Sequence, residues 1–169
     1  IVCCTPAPVN PLTLVALVDG KRVSLCTATP HQAVGVNASA VEFRSIYAMP
    51  TGRVLAAYAD ASALARIVER NGLPGAAWDG ISTRAGLERA LALVRKKGHA
   101  TISPDGPELV SFAVPVLDAE GGLVATLGCY APRFRCDAKR QADLLKRLSD
   151  ATPILSNLLQ KEENQNKGE

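Results

Sequence analysis

Aromatic residues are scarce in this chain. Three Phe, three Tyr and one Trp make up 4% of 169 residues, so aliphatic side chains within a 47% hydrophobic composition must fill the interior. Long apolar runs are also missing. Nothing approaches the roughly 20 residues that a membrane-spanning helix requires, and Asp19–Arg22 interrupts the most apolar stretch near the start, so no membrane partner is expected. The five cysteines (Cys3, Cys4, Cys26, Cys129 and Cys136) are odd in number and scattered, which suits reduced thiols in a cytoplasmic protein better than a disulfide scaffold. Only Cys3 and Cys4 form a local cluster, and neither His31 nor His99 stands close enough to complete a set of zinc ligands. No metal or cofactor is therefore expected. The surplus of positive charge is only +3, too little for a phosphate-binding footprint unless it gathers on one face, so direct nucleic-acid binding is not expected. Ile1–Asn10 lacks both an initiator Met and a basic start leading into an apolar stretch, and it reads as a linker or the cut end of a domain rather than a secretory leader.

What the chain does contain suits one domain. Its length buries a single core, expected over residues 11–160, with residues 161–169 as a disordered, solvated tail. Leu12–Val18 and Val23–Thr29 flank Asp19-Gly20, the signature of a tight hairpin. A third extended segment is predicted from Ala33 to near Ile46. Gly52–Tyr58 reads as a short helix, and Asp60 caps a second helix that runs through Arg70 and closes at Asn71-Gly72. Gly72–Ile81, with Pro74 and the single Trp78, is a loop with one anchor. Ser82 or Thr83 caps a third helix carrying Leu87, Leu91 and Val94 at helical spacing, and Gly98 ends it after the basic triplet Arg95-Lys96-Lys97, placed where a helix C-terminus favours cations. An irregular stretch follows at Ser103–Pro107. Leu109–Leu117 and Leu123–Ala131 then form the clearest hairpin, and Asp137 caps a last helix in which Pro153 forces a kink or a restart. The order of strands, helices, strands and helix, without repeats, gives an α+β fold with helices packed on an antiparallel sheet.

The last two strands have unlike faces. Alternation places Val110, Phe112, Val114 and Val116 on one side of the first, with Ser111, Ala113 and Pro115 on the other. The second divides into Leu123, Ala125, Leu127 and Cys129 against Val124, Thr126, Gly128 and Tyr130. Small and hydroxyl-bearing groups thus share one face. An open face of an antiparallel sheet normally carries Lys, Glu, Arg or Gln, and neither strand has any, so this face is expected to be covered and to enclose a cavity. Met49-Pro50-Thr51-Gly52 leads into a helix whose first-turn amides could take a small carboxylate, Gly52 allowing close approach. By itself the segment equally reads as a plain helix start.

Four pieces in order resemble the effector-binding domain of isocitrate-lyase-regulator (IclR) type transcription factors. They are Tyr47–Tyr58, Val94–Ala100, Phe112–Asp118 and Gly122–Gly128, and the likeness covers nearly all of residues 11–160. The resemblance implies a GAF-like, profilin-like domain whose sheet and covering loops enclose a pocket for a small metabolite, often a carboxylate or aromatic acid. It further implies a homo-oligomer, dimeric or tetrameric, that reaches DNA through an N-terminal winged helix-turn-helix absent from this chain. Carried over residue by residue, the family's pocket positions are Pro50, Thr51 and Gly52 at the helix start, Ser111 on one strand, and Gly128 and Tyr130 on the next. Ser103–Glu108 departs from the family pattern, and Tyr130 stands where some relatives have a small residue.

The reading is a ligand sensor and not an enzyme: a small organic acid meets the amides at Thr51 and Gly52, and the hydroxyls of Ser111 and Tyr130 orient the rest of it. The Gly72–Ile81 loop is the expected moving part, with Trp78 as its anchor or as a plain packing residue. Lys139, Arg140, Lys146 and Arg147 belong either to a subunit contact or to a solvated face. The rival classes are a cysteine-dependent enzyme using Cys129 or Cys26 with His99 as base, and a profilin-like structural adaptor.

Overall fold

A computed structural model describes residues 10–29, 45–103 and 109–166. Its centre is a five-stranded antiparallel sheet in the order β2-β1-β5-β4-β3. The strands are β1 (Leu12–Val18), β2 (Lys21–Ala28), β3 (Ala100–Ile102), β4 (Leu109–Leu117) and β5 (Leu123–Pro132). Helices α1 (Pro50–Tyr58), α2 (Ala61–Asn71) and α3 (Arg84–Lys97) lie on one side, and α4 (Ala138–Asn166) lies on the other. The fold class is α+β, as the order of elements predicts.

Local chemistry explains most boundaries. Asp19 and Gly20 both have positive φ, 48° and 73°, the pair that a two-residue hairpin turn requires. The Asp60 carboxylate accepts the Ala63 amide at 2.7 Å and starts α2, while the Thr83 hydroxyl accepts the Gly86 amide at 3.1 Å and starts α3. Gly98, at φ 71° and ψ 9°, takes the left-handed conformation that ends α3. Arg95 of the basic triplet crosses to a neighbour, donating to the Ala57 carbonyl at the end of α1 at 2.6 Å. The cation therefore serves the C-terminus of α1 as well as its own helix. At the β4–β5 turn the Asp118 carboxylate accepts the Gly122 amide at 2.6 Å.

Three expectations change. The Ala33–Ile46 strand falls mostly outside the described residues, and Ile46 itself begins a 3-10 turn, Ile46–Ala48. Strand β3 has no counterpart in the sequence reading: three residues are too few to show a period, and it exists because Ala100, Thr101 and Ile102 pair with Ala113, Phe112 and Ser111. Helix α4 runs through Pro153 without a restart and continues to Asn166. Pro153 has no N–H for the Ser149 carbonyl, and the Thr152 hydroxyl donates to that carbonyl at 2.9 Å instead.

The two strand faces build two cores. Val110, Phe112, Val114, Val116, Ala125, Leu127 and Cys129 pack under α4 around Leu148. On the other side Ala100 and Ala113 lie under α1–α3, among Tyr47, Val54, Ile67, Leu87 and Leu91. Small sheet residues here let α1 sit close to the sheet.

Candidate functional site

The sequence places its candidate site at the start of α1 and on the small-residue face of the sheet. The 3-10 turn Ile46–Ala48 delivers the chain to Met49, which makes no side-chain cap, and Pro50 follows as the first helical residue. By the geometry of any helix the next amides, Thr51 and Gly52, have no acceptor within it, and the partial positive charge of the helix end lies there. Thr51 is buried. Its hydroxyl accepts a hydrogen bond from Nε of Arg22 at 3.0 Å, bringing a guanidinium from β2 to the helix start.

The glycines serve the protein's own packing. A Cβ at Gly52 would lie 1.8 Å from the Ile46 carbonyl oxygen, so the close approach that this glycine permits is occupied by the preceding turn. A Cβ at Gly128 would lie 2.5 Å from Thr51 Cγ2, so the helix itself lies over the sheet there. The small-residue face is thus covered at Gly128 and Ala113, where the helices of this side pack directly on it. Ser111 and Tyr130 are different. They are direct partners across β4 and β5, they share the Gly128 face by alternation, and both remain half-buried. Burial pushes the Tyr130 phenol above its ordinary range, so at neutral pH it is protonated and able to donate.

The six predicted residues thus form two groups. Thr51 lies against Gly128, with Pro50 and Gly52 beside it in the first turn of α1, and Ser111 and Tyr130 lie farther along the same face. Concavities elsewhere measure about 480 Å³, beside α4 at Pro115, Asp118, Thr152 and Asn157, and about 340 Å³, beside Arg135 and Arg140.

Two arginines escaped the sequence reading. Arg22 reads there only as part of a charged turn, and its reach to Thr51 depends on how the hairpin lies against α1. Arg53 follows Gly52 and donates to the carbonyls of Tyr47 at 2.8 Å and Ala77 at 3.0 Å, while its guanidinium stacks 4.4 Å from the Trp78 ring. Burial lowers its pKa to about 10, with Asp79 opposing, so it stays charged at neutral pH. Trp78 is buried in the α1–α3 core, which makes it a packing anchor held from α1.

Cys129 is poorly placed for nucleophilic chemistry. It is buried under α4, where desolvation first and Cys136 second push its pKa up to about 12, leaving no useful thiolate at neutral pH. Cys26 is exposed on β2, and His99 engages the Lys97 carbonyl at 3.0 Å. Among the described residues no cluster of His, Cys, Asp or Glu could hold a metal ion, and no helix is long and apolar enough to cross a membrane.

Comparison with known proteins agrees with this architecture. No curated protein matches the chain at a significant level. The inducer-binding domain of PobR from Acinetobacter, solved as a double mutant with 3-hydroxybenzoic acid, superposes with a TM-score of 0.69 at 23% identity over 88% of each chain. The C-terminal domain of E. coli KdgR superposes at 0.66, with 22% identity over 89% of this chain and 87% of that one. The Thermotoga maritima IclR gives 0.69 at 17% identity, over 89% of this chain but only 61% of the longer regulator. At these identities the likeness establishes the fold. Residues 14–157 match the family described as "Bacterial transcriptional regulator IclR C-terminal", and the chain belongs to that family of effector-binding domains.

Proposed function

We propose that this domain senses a small organic acid or aromatic carboxylate for a cytoplasmic, homo-oligomeric (dimeric or tetrameric) IclR-type regulator. It passes the signal to a DNA-binding winged helix-turn-helix outside this chain, and it catalyses no reaction. Residues 11–160 form the sensory unit, with Pro50, Thr51, Gly52, Ser111, Gly128 and Tyr130 lining or framing the site. The observation that carries the reading is the Thr51–Gly128 contact, which seats the amide end of α1 on the sheet face that also bears Ser111 and Tyr130. A carboxylate there would gain from helix-end amides and from the Arg22 guanidinium beside Thr51, while the two hydroxyls suit a ring or chain bearing polar substituents. That PobR takes 3-hydroxybenzoic acid supports an acid of this type. Coupling requires that the ligand prefer one arrangement of the domain, and the Arg53–Trp78 contact links the start of α1 to the Gly72–Ile81 loop.

A thermal-shift screen of mono- and dicarboxylates and aromatic acids tests the reading. At least one acid should raise the melting temperature, and Ser111→Leu, which places a larger apolar group on the face, should abolish that shift. Undiminished binding by Ser111→Leu would put the pocket elsewhere. A flat response across the whole panel would favour a structural adaptor.

A further inference from the structure

The corner where β5 passes into α4 has no part in the proposed sensing site. There a 3-10 turn, Arg133–Arg135, holds Phe134 80% exposed, the most exposed of the large hydrophobic residues described. A lone exposed apolar side chain needs no explanation, but the surroundings of this one are unusual. The Arg135 guanidinium lies 5.2 Å from its ring, and Arg135, Lys139 and Arg140 line a concavity of about 340 Å³ beside it. The two carboxylates in that concavity are already engaged. Asp137 accepts the Arg140 amide at 2.8 Å as the cap of α4, and Asp143 pairs with Arg147 at 2.9 Å. Among the described residues Lys139 and Arg140 have no ion-pair partner.

Residues 133–140 carry four cations and one carboxylate, a net of +3, equal to the surplus of the entire chain. The remainder is therefore neutral. The small excess that would be meaningless if spread over the surface is gathered where the 3-10 turn meets the start of α4, with Arg135 beside the exposed ring and Arg133 donating to Ser103 Oγ at 2.9 Å.

We propose that this corner is a docking surface for an acidic amphipathic segment of a protein partner, with Phe134 as the apolar anchor and Arg135, Lys139 and Arg140 as its charged surround. Aromatic and Arg side chains together are the composition of interface anchor points. A nucleic-acid backbone would need a longer cationic track than one turn offers, and phosphate contacts alone would leave the phenyl ring uncovered. A second copy of this chain offers no net negative charge outside this corner to match it.

The test is fluorescence anisotropy of a labelled acidic peptide of about fifteen residues, with Leu at helical spacing, titrated with the full chain at low salt. Arg135→Glu with Arg140→Glu should weaken binding by about tenfold or more, and Phe134→Ala by about threefold or more, given desolvated charges and an apolar anchor. Replacing the peptide's Leu residues by Ser should remove the Phe134→Ala effect. Lys96→Glu with Lys97→Glu, which alters an exposed basic pair elsewhere, should leave binding within about twofold of the parent. No binding, or an equal loss from the Lys96/Lys97 pair, would overturn the proposal. Tighter binding of an oligothymidylate would assign the corner to nucleic acid, and a homodimer that Phe134→Ala dissociates would assign it to a second copy.

Discussion

Glycine in the interior of a helix usually costs about 0.5–1 kcal/mol relative to alanine, so a Gly→Ala change in α1 would ordinarily stabilise. Gly52 reverses that sign, because the added Cβ would meet a backbone carbonyl oxygen that cannot rotate away. Gly128 meets a methyl group instead. Gly128→Ala should cost about 1–3 kcal/mol by urea unfolding, the range for overpacking, with Gly52→Ala at least as costly. The distinguishing measurement is a double-mutant cycle. Thr51→Ser removes Cγ2 and keeps the hydroxyl that Arg22 holds, so it should recover most of the Gly128→Ala loss and none of the Gly52→Ala loss. Absence of coupling between residues 51 and 128 would mean that the helix does not rest on the sheet as described. The sequence marks both glycines as special but not which atoms lie against them, since the identity of a close neighbour is a tertiary fact.

Among the elements, α4 differs most from its sequence reading. Proline in a helix interior removes one hydrogen bond and crowds the preceding turn, at a cost of about 3 kcal/mol, yet here the helix continues past it. The Thr152 hydroxyl makes up part of that loss at Ser149, and Leu144, Leu145, Leu148, Leu155 and Leu159 hold both halves to the sheet. Pro153→Ala should therefore stabilise the domain by about 1–2 kcal/mol, since some of the recovered energy is offset by the greater freedom of the unfolded chain. A rise in melting temperature with unchanged tertiary signals is the expected result, and an unchanged or lower value would mean that the hydroxyl already compensates in full. The caps of α2 and α3 and both hairpin turns were legible because each depends on residues within four positions of one another. Strand β3 was not, because its pairing partners lie nine to thirteen residues away.

At the scale of the molecule, one sheet carries helices on both sides, and the described contacts of its two cores end at Leu159. A chain cut to residues 11–160 should consequently melt cooperatively, within about 4 °C of the full chain, because trimming the last turns of α4 removes none of those contacts and about 1 kcal/mol shifts a domain of this size by 2–4 °C. Loss of cooperativity, or a much larger drop, would show that the termini belong to the folded unit. The charge distribution also emerges only at this scale: the sum is fixed by composition, but its meaning depends on where the cations meet.

The order of elements, their caps, the two hairpins and the contrast between the faces of β4 and β5 follow from the sequence, because propensity, turn chemistry and side-chain alternation act over a few residues. What covers the small face, what Gly52 and Gly128 make room for, and which arginines reach the start of α1 were settled only by folding. Those facts depend on the approach of segments tens of residues apart, and the residues involved carry no local mark of the partner they will meet.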